Sequence, residues 1–370
     1  MSSPQEFERL HAGVRDLQAA DFKHAAALAT ITRTWGSTFR NAGTSMLVNA
    51  DGRVVCALSG GCPQNDIVMR AQRVIANDQP EIARYDNDSG LDVLIEMGCG
   101  GQLEVLIEPL VRAADAHFLD AIANIQESRA GGFVATAFAN GASPLSPRPQ
   151  RLVWSGDIRH NDSRDSTLTD SILQIGTNLP AGARSIVRSI EIPKGTVEVL
   201  FEILRPTHAL TVVGVNAASV ALAQISCVIG WKTVLVDHRI QPDGAAYGAG
   251  IPAGVKLLQA TPESLKREIN LDRFSSVVVM TFNVERDIAY LNSLGTTSAA
   301  YIGAIGSRER ARQIRAAFDV DGAHIHVPAG LDVGSETPEE IAVAVSAEIL
   351  ATLNARTGGS LSKSGGTNHP

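Results

Sequence analysis

Cysteine is scarce in this chain: its 370 residues include four, Cys56, Cys62, Cys99 and Cys227, and no CxxC pair. That excludes a disulfide framework and a four-cysteine zinc site, and makes free thiols in a reducing compartment the expectation. Aromatic residues are also few, at 5%. No stretch reaches the roughly 18 uninterrupted apolar residues of a membrane span. The opening MSSPQEFERLHAGVRDLQAA carries acids early and has no apolar signal region, so a cytoplasmic protein is expected. Long basic runs are missing as well, and 32 Lys plus Arg against 39 Asp plus Glu leave a net charge of −7, which argues against a nucleic-acid partner. The absence of GxSxG, of a P-loop lysine motif and of HExxH removes several hydrolase and NTPase readings.

What the chain does have is length and apolar content: 44% hydrophobic residues over 370 positions exceed what one core organises, and two domains are expected, 1–205 and 206–354, followed by a disordered tail 355–370. Residues 6–20 carry apolar positions at helical spacing (Phe7, Leu10, Val14, Leu17) and lead into an Ala- and β-branched run, 25–34. Two strand-like runs flank Asp51-Gly52, a hairpin signal, and Pro63 suits the first turn of a helix that continues through IVMRAQRVIAN. LDVLIEM (91–97) and QLEVLIEPL (102–110) read as strands on either side of Gly98-Cys99-Gly100-Gly101. Residues 112–130 read as a helix, FVATAFA as a strand, 140–170 as an irregular excursion, and EVLFEILRP (198–206) as the last strand of the first domain. From Ala209 onward, continuous apolar strands alternate with amphipathic helices, the pattern of a parallel sheet covered on both faces. The fold class expected is α/β: a C-terminal Rossmann-like parallel sheet joined to an N-terminal α+β domain.

Four places could carry chemistry. Gly214-Val215-Asn216-Ala217-Ala218-Ser219 ends the first strand of the second half, and Asp237 ends the next, as in dinucleotide folds where a glycine turn admits phosphate and the later carboxylate takes ribose hydroxyls. Only the first glycine of GxGxxG is present, and Asn216 stands where glycine would let the backbone approach a pyrophosphate. Gly306-Ser307-Arg308 ends a strand and opens a helix, so it is either an anion site or an ordinary serine cap. Those residues and Thr281 should gather at the carboxyl ends of the strands, where open α/β sheets hold ligands. Cys62, behind Gly60-Gly61, and Cys99 lie in glycine-rich loops that leave thiols approachable, with Cys62 near a helix N-terminus that favours thiolate. Cys56, in a strand, and Cys227, on an apolar helix face, read as core. Ser37, Thr38 and Arg40 in the loop WGSTFRNAG either grip an oxoanion or form a solvated turn. His324 and His326 share a strand face, but no metal centre is expected.

Taken in order, TRTWGSTFRNAG (32–43), SGGCPQND (59–66), MGCGGQLEVLIEP (97–109), VVGVNAAS, VLVDHR (234–239), VVVMTFNVERD (277–287), YIGAIGSRER (301–310) and PAGLDVGSETPEEIA (328–342) resemble the XdhC/CoxI family, the xanthine dehydrogenase accessory factors. The resemblance implies an XdhC/CoxI-type N-terminal domain, a Rossmann domain, and a chaperone that binds molybdenum cofactor and assists its sulfuration and insertion into a molybdenum hydroxylase. It implies as partners the hydroxylase apoenzyme and a cysteine desulfurase, with a homodimer as the ordinary prior for a soluble oligomer. Carried over by position, Cys62 and Cys99 become cofactor or sulfur contacts, and Gly306, Ser307 and Arg308 anion contacts. The alternative is an NAD(P)-binding enzyme acting on a small molecule, with Cys62 reactive. Departures stand in the loops: Pro63-Gln64 where the family has an apolar residue and Glu, Phe39 where Pro precedes Arg40, Asn41-Ala42 in place of a basic-Pro pair, and Val215-Asn216 in the glycine turn.

Overall fold

The computed structural model describes residues 3–58, 61–86, 101–141, 143–180, 182–193, 195–239, 250–295, 297–317, 325–360 and 362. Its chain divides at Pro206/Thr207 into two units.

The first unit opens with helix α1, Pro4–Ala19, started by a reciprocal cap in which the Ser3 hydroxyl accepts from the Glu6 amide and the Glu6 carboxylate accepts from the Ser3 amide. The apolar stripe read from spacing, Phe7, Leu10, Val14 and Leu17, is its buried face. Strand β1, Ala26–Trp35, is central in an antiparallel sheet of order β3-β2-β1-β5-β4, made with β2 (Ser45–Asn49), β3 (Val54–Val55), β4 (Glu81–Tyr85) and β5 (Gln102–Leu110). Alternation along β1 sends Ala26 and Leu28 into a core shared with α1, and Ala27, Ala29 and Ile31 into a second core with Ile67, Ala71 and Val74 of helix α2, Gly61–Asn77. Covered on both faces, β1 is buried on successive residues from Ala26 to Thr32, so its sequence shows no simple apolar–polar alternation.

After β5 come a 3₁₀ turn, Ala113–Ala116, and helix α3, His117–Glu127. A second antiparallel sheet then orders β10-β11-β6-β8-β9, from β6 (Gly132–Asn140), β8 (Gln150–Ser155), β9 (Asp157–Asn161), β10 (Ile186–Ile192) and β11 (Gly195–Leu204), with the short β7 (Ser143–Pro144) paired to β6. The expected irregular excursion at 140–170 is overturned. It holds β7, β8, β9 and the start of helix α4, Ser166–Thr177, whose Asp165 cap accepts from Thr167 and Leu168 amides. The polar residues that mimicked a loop lie on an edge strand, β9, exposed along most of its length. The strand expected at 91–97 lies outside the described residues.

The second unit is a six-stranded, all-parallel sheet: β12 (Ala209–Val213), β13 (Lys232–Asp237), β14 (Lys256–Gln259), β15 (Ser275–Val279), β16 (Tyr301–Ala304) and β17 (Ile325–His326), in the order β14-β13-β12-β15-β16-β17. Counted within the unit this is 3-2-1-4-5-6, the Rossmann order, which reverses between β12 and β15. Helices α5 (Ala217–Ile229) and α9 (Pro338–Leu353) share one core with Leu210 and Val212, while α7 (Val284–Leu294) and α8 (Arg308–Ala317) share another with Val213 and Val277. One of the helices between the strands is a single turn, α6, Leu265–Glu268. Two cysteine placements also change. Cys56 lies just past β3 at φ +62°, half-buried, and Cys227 is on the exposed face of α5.

Candidate functional site

In the second unit the parallel register fixes what meets at the carboxyl edge. Val213 lies opposite Val236 and Val279, and Val279 opposite Ala304, so Gly214, Asp237, Met280 and Ile305 follow at one level. This edge, at the point where strand order reverses, is where an open α/β sheet leaves a crevice for ligands. Gly214 sits at φ +98° against the end of β15, where an added Cβ would stand 2.7 Å from the Met280 carbonyl oxygen and from Thr281 Cα.

At the α5 N-terminus the chain satisfies its own amides. Asn216 Oδ1 accepts from Ala218 N (3.0 Å) and Ser219 N (3.2 Å), its Nδ2 donates to the Met280 carbonyl (2.8 Å), and Ser219 Oγ accepts from Asn216 N (2.8 Å). These are donors that a pyrophosphate would use in a dinucleotide fold. Asp237 is engaged as well: Oδ2 accepts from Val215 N at 3.1 Å, and Oδ1 meets the His238 ring at 2.7 Å and Arg239 N at 3.2 Å. The dinucleotide position is thus filled by side chains of this unit.

Along the same edge, α8 presents a different arrangement. Ser307 Oγ caps it by accepting from Arg310 N at 3.2 Å, while Arg308 is exposed and has no ion-pair partner among the described residues. Sequence reasoning did not single out Asp287 or Arg310. Asp287 is completely buried on α7, accepts from Thr281 N (3.1 Å) and Oγ1 (2.6 Å), and takes Nε and Nη2 of Arg310. Gly306 makes the pair possible, since a Cβ there would lie 2.6 Å from Arg310 Cδ. The ERD and SRER segments carried these residues, but only the fold shows that they face one another. Between Thr281 and Asn283, Phe282 stands 76% exposed at φ +58°.

Behind the crevice, Glu348 of α9 accepts from Tyr301 OH (2.6 Å) and Gly330 N (2.8 Å) and pairs with His326 Nδ1 (3.2 Å). Burial alone would raise its pKa; the bonds from His326, Tyr301 and Gly330 outweigh burial and bring it to about 2. His326 stacks on Tyr301 at 4.4 Å, and His324 lies outside the described residues. No group of three metal-ligating side chains occurs among the described residues.

In the first unit, the loop after β1 meets the segment before β5: Trp35 pairs with Gln102, and an added Cβ on Gly101 would stand 2.1 Å from the Ser37 carbonyl oxygen. Thr38 Oγ1 donates to the Arg40 carbonyl (2.8 Å), and Ser37 is exposed. Arg40 pairs with Glu6 (2.7 Å) and reaches the Ala57 carbonyl (3.3 Å), tying α1 to the connection between β3 and α2. Cys56 Sγ donates to the Glu6 carbonyl at 3.3 Å, and burial pushes its thiol pKa up, so it is a poor nucleophile. Gly61 opens α2 and Cys62 is its second residue. Gly60 and Cys99 lie outside the described residues. A cavity of about 510 Å³ lies elsewhere in this unit, between α3 and the β8–β9 hairpin, lined by His117, Asn124, Arg159 and His160 among others. None of the candidate loop residues lines it.

Residues 20–86 match the model of the XdhC and CoxI family, and residues 210–349 match that of the XdhC Rossmann domain, together more than half of the chain. The chain belongs to the XdhC/CoxI family. Its relatives include a Bacillus subtilis (strain 168) protein named as a probable xanthine dehydrogenase subunit, 27% identical over 334 residues, which span 88% of this chain and 93% of that one. An Escherichia coli (strain K12) protein named "Uncharacterized protein YqeB" is 28% identical over 179 residues, 46% of this chain and 32% of that one. A solved structure described as a xanthine dehydrogenase from Bacillus halodurans shares the fold, with a TM-score of 0.76 at 23% identity, over 99% of this chain and 98% of that one. The XdhC/CoxI span thus holds the Ser37–Arg40 loop and Cys62, and the Rossmann span holds the whole carboxyl-edge site. No described helix is long and apolar enough to cross a membrane.

Proposed function

We propose that this chain is a maturation factor for a molybdenum hydroxylase of the xanthine dehydrogenase type, taking molybdenum cofactor as cargo and assisting its sulfuration and insertion. Family membership and a relative named as a xanthine dehydrogenase subunit, matched over most of both chains, support the partner. The observation that carries the ligand is the division of labour along the Rossmann edge. Asn216 takes the Ala218 and Ser219 amides of α5, whereas further along the edge Arg308 leaves an exposed guanidinium at the start of α8 and Phe282 an exposed ring ahead of α7. An anionic, planar ligand other than an ordinarily bound dinucleotide fits that pattern, and a phosphorylated pterin is one.

In this reading Arg308 and the Ser307 cap receive the cofactor's phosphate. Cys62, at the second residue of a 17-residue helix, belongs where the helix field favours a thiolate able to contact a soft metal or accept sulfur. A cysteine desulfurase supplies the sulfur and Cys99 is the second thiol contact. The NAD(P)-enzyme reading keeps the Rossmann strand order and Asp237 in its favour, and has the filled α5 N-terminus against it.

Purification of the full chain from molybdate-supplied cells, followed by measurement of molybdenum, pterin and nicotinamide, tests the proposal. Co-purifying pterin and molybdenum, lowered by Arg308→Ala, is expected. Tight NAD(P) without pterin overturns it. The second arm adds the chain to a hydroxylase apoenzyme with free cofactor and measures hydroxylase activity: stimulation is expected, and Cys62→Ser should reduce it while leaving thermal unfolding unchanged.

A further inference from the structure

The carboxyl edge of the Rossmann unit carries an aromatic ring that the fold itself does not use. Phe282 is 76% exposed and makes no ring or cation contact among the described residues. Its φ of +58° is a conformation that glycine and asparagine adopt readily and a bulky side chain does not. The ring therefore returns no burial, and the residue strains its own turn. Either cost would be removed by a small polar residue.

The turn has little freedom to relax. On one side, Thr281 is held through its amide and hydroxyl by the buried Asp287, which Arg310 pins in turn. On the other, Asn283 caps α7 by accepting from Arg286 N at 2.8 Å, and its own amide donates to Thr281 Oγ1 at 3.3 Å. Beneath it, Gly214 packs on Thr281 Cα and Asn216 bonds the Met280 carbonyl. Residues 280–283 are thus fixed from three elements, and Phe282 projects from the fixed turn at the strand-order reversal. Strain held by such an over-determined surround, beside a ligand crevice, is how folds aim a side chain at a ligand.

We infer that Phe282 is a stacking subsite for a planar fused heteroaromatic ring, with Arg308 on the same edge taking the ligand's anionic group. Aromatic faces bind such rings with little regard to their substituents, so the subsite selects flatness, and the anion site adds charge. That the ring is a pterin rests on the function proposed above; the stacking itself does not.

Fluorescence titration of the full chain with pterin-6-carboxylate, with adenosine monophosphate and with inorganic phosphate separates these claims. Phe282→Ala should weaken the ring-bearing probes by roughly tenfold or more, the scale of a lost base–aromatic stack, and leave phosphate unchanged. Phe282→Trp should restore binding to within a few fold. Phe282→Gly, which suits the backbone, should also lose ring binding while unfolding no earlier than the parent, so that the loss is not a failure to fold. Ring binding unaffected by Phe282→Ala and Phe282→Gly overturns the inference, and leaves the cofactor proposal standing if pterin is bound. Phe282-dependent binding of adenosine monophosphate but not pterin upholds the stacking subsite and counts against that proposal. A parent chain that binds neither ring overturns the inference directly.

Discussion

Asp287, on α7, and Arg310, on α8, form a paired charge at the base of the Rossmann edge, with the carboxylate wholly buried and the guanidinium side chain 19% exposed. The same carboxylate holds Thr281, so one ionic group fixes the end of β15 to the starts of two helices. Removing one partner leaves the other charge desolvated. Asp287→Ala should therefore destabilise the chain by about 3–5 kcal/mol, whereas Thr281→Val, which removes a hydroxyl but keeps the pair, should cost about 1–3 kcal/mol. Urea unfolding measures both. Equal effects would mean that the pair contributes nothing beyond the threonine bond.

A second buried pair tests the same logic in the first unit. Arg151 of β8 takes Glu108 of β5 through its two terminal guanidinium nitrogens, Nη1 and Nη2, and its Cζ lies 4.1 Å from the centroid of the Phe118 ring. Burial pushes the Glu108 carboxyl pKa up, with Arg151 pulling the other way. Arg151→Ala should cost about 3–5 kcal/mol; the double change Glu108→Leu with Arg151→Met should recover most of it, since apolar groups of similar volume replace a buried pair at little cost. A double variant no more stable than the single would show that geometry, not unpaired charge, sets the loss.

The Rossmann half was legible in sequence because each element repeats one pattern, an apolar strand followed by an amphipathic helix, and parallel sheets write that pattern strongly. The first unit was harder to read. β8 and β9 were hidden because Arg151 and the polar β9 residues break apolar alternation, and the reason is their partners: Arg151 is buried against Glu108, and β9 is a sheet edge. At the carboxyl edge, spacing put Gly214, Asp237 and Gly306 after strand ends but could not show what their neighbours do there. Gly306 reads as a phosphate glycine in sequence, yet it also makes room for the Arg310 stem, a contact between residues whose significance depends on Asp287, 23 positions away. Cys227 was misplaced because α5 is apolar on most of its surface, so composition could not tell its buried face from its exposed one.

Glu348 gives the Rossmann unit a defined acid sensitivity. Its folded pKa of about 2 lies below the ordinary 4.5, so the stabilisation it contributes is complete above about pH 4.5 and is lost as pH falls towards 2. The shift sets an upper bound of about 3 kcal/mol. The stability difference between the parent and Glu348→Gln, from urea unfolding at a series of pH values, should shrink as pH falls below 4.5. A difference independent of pH across that window would show that the bonds from Tyr301 and Gly330 work equally well with a neutral partner.

The last prediction concerns the residue that separates this Rossmann turn from a dinucleotide site. Asn216 is a helix cap, and caps of this type exchange for glycine at a few tenths of a kcal/mol; the lost bond to the Met280 carbonyl adds about 1 kcal/mol. Asn216→Gly should therefore fold. It frees the Ala218 and Ser219 amides, removes the side chain over the α5 N-terminus, and leaves Asp237 at the end of β13. If self-capping is what closes the site, the variant should bind NADH several-fold more tightly than the parent in a fluorescence titration. A parent chain that already binds NADH as tightly as the variant would mean that Asn216 yields to a pyrophosphate at no cost, and the filled α5 N-terminus would then cease to count against a dinucleotide.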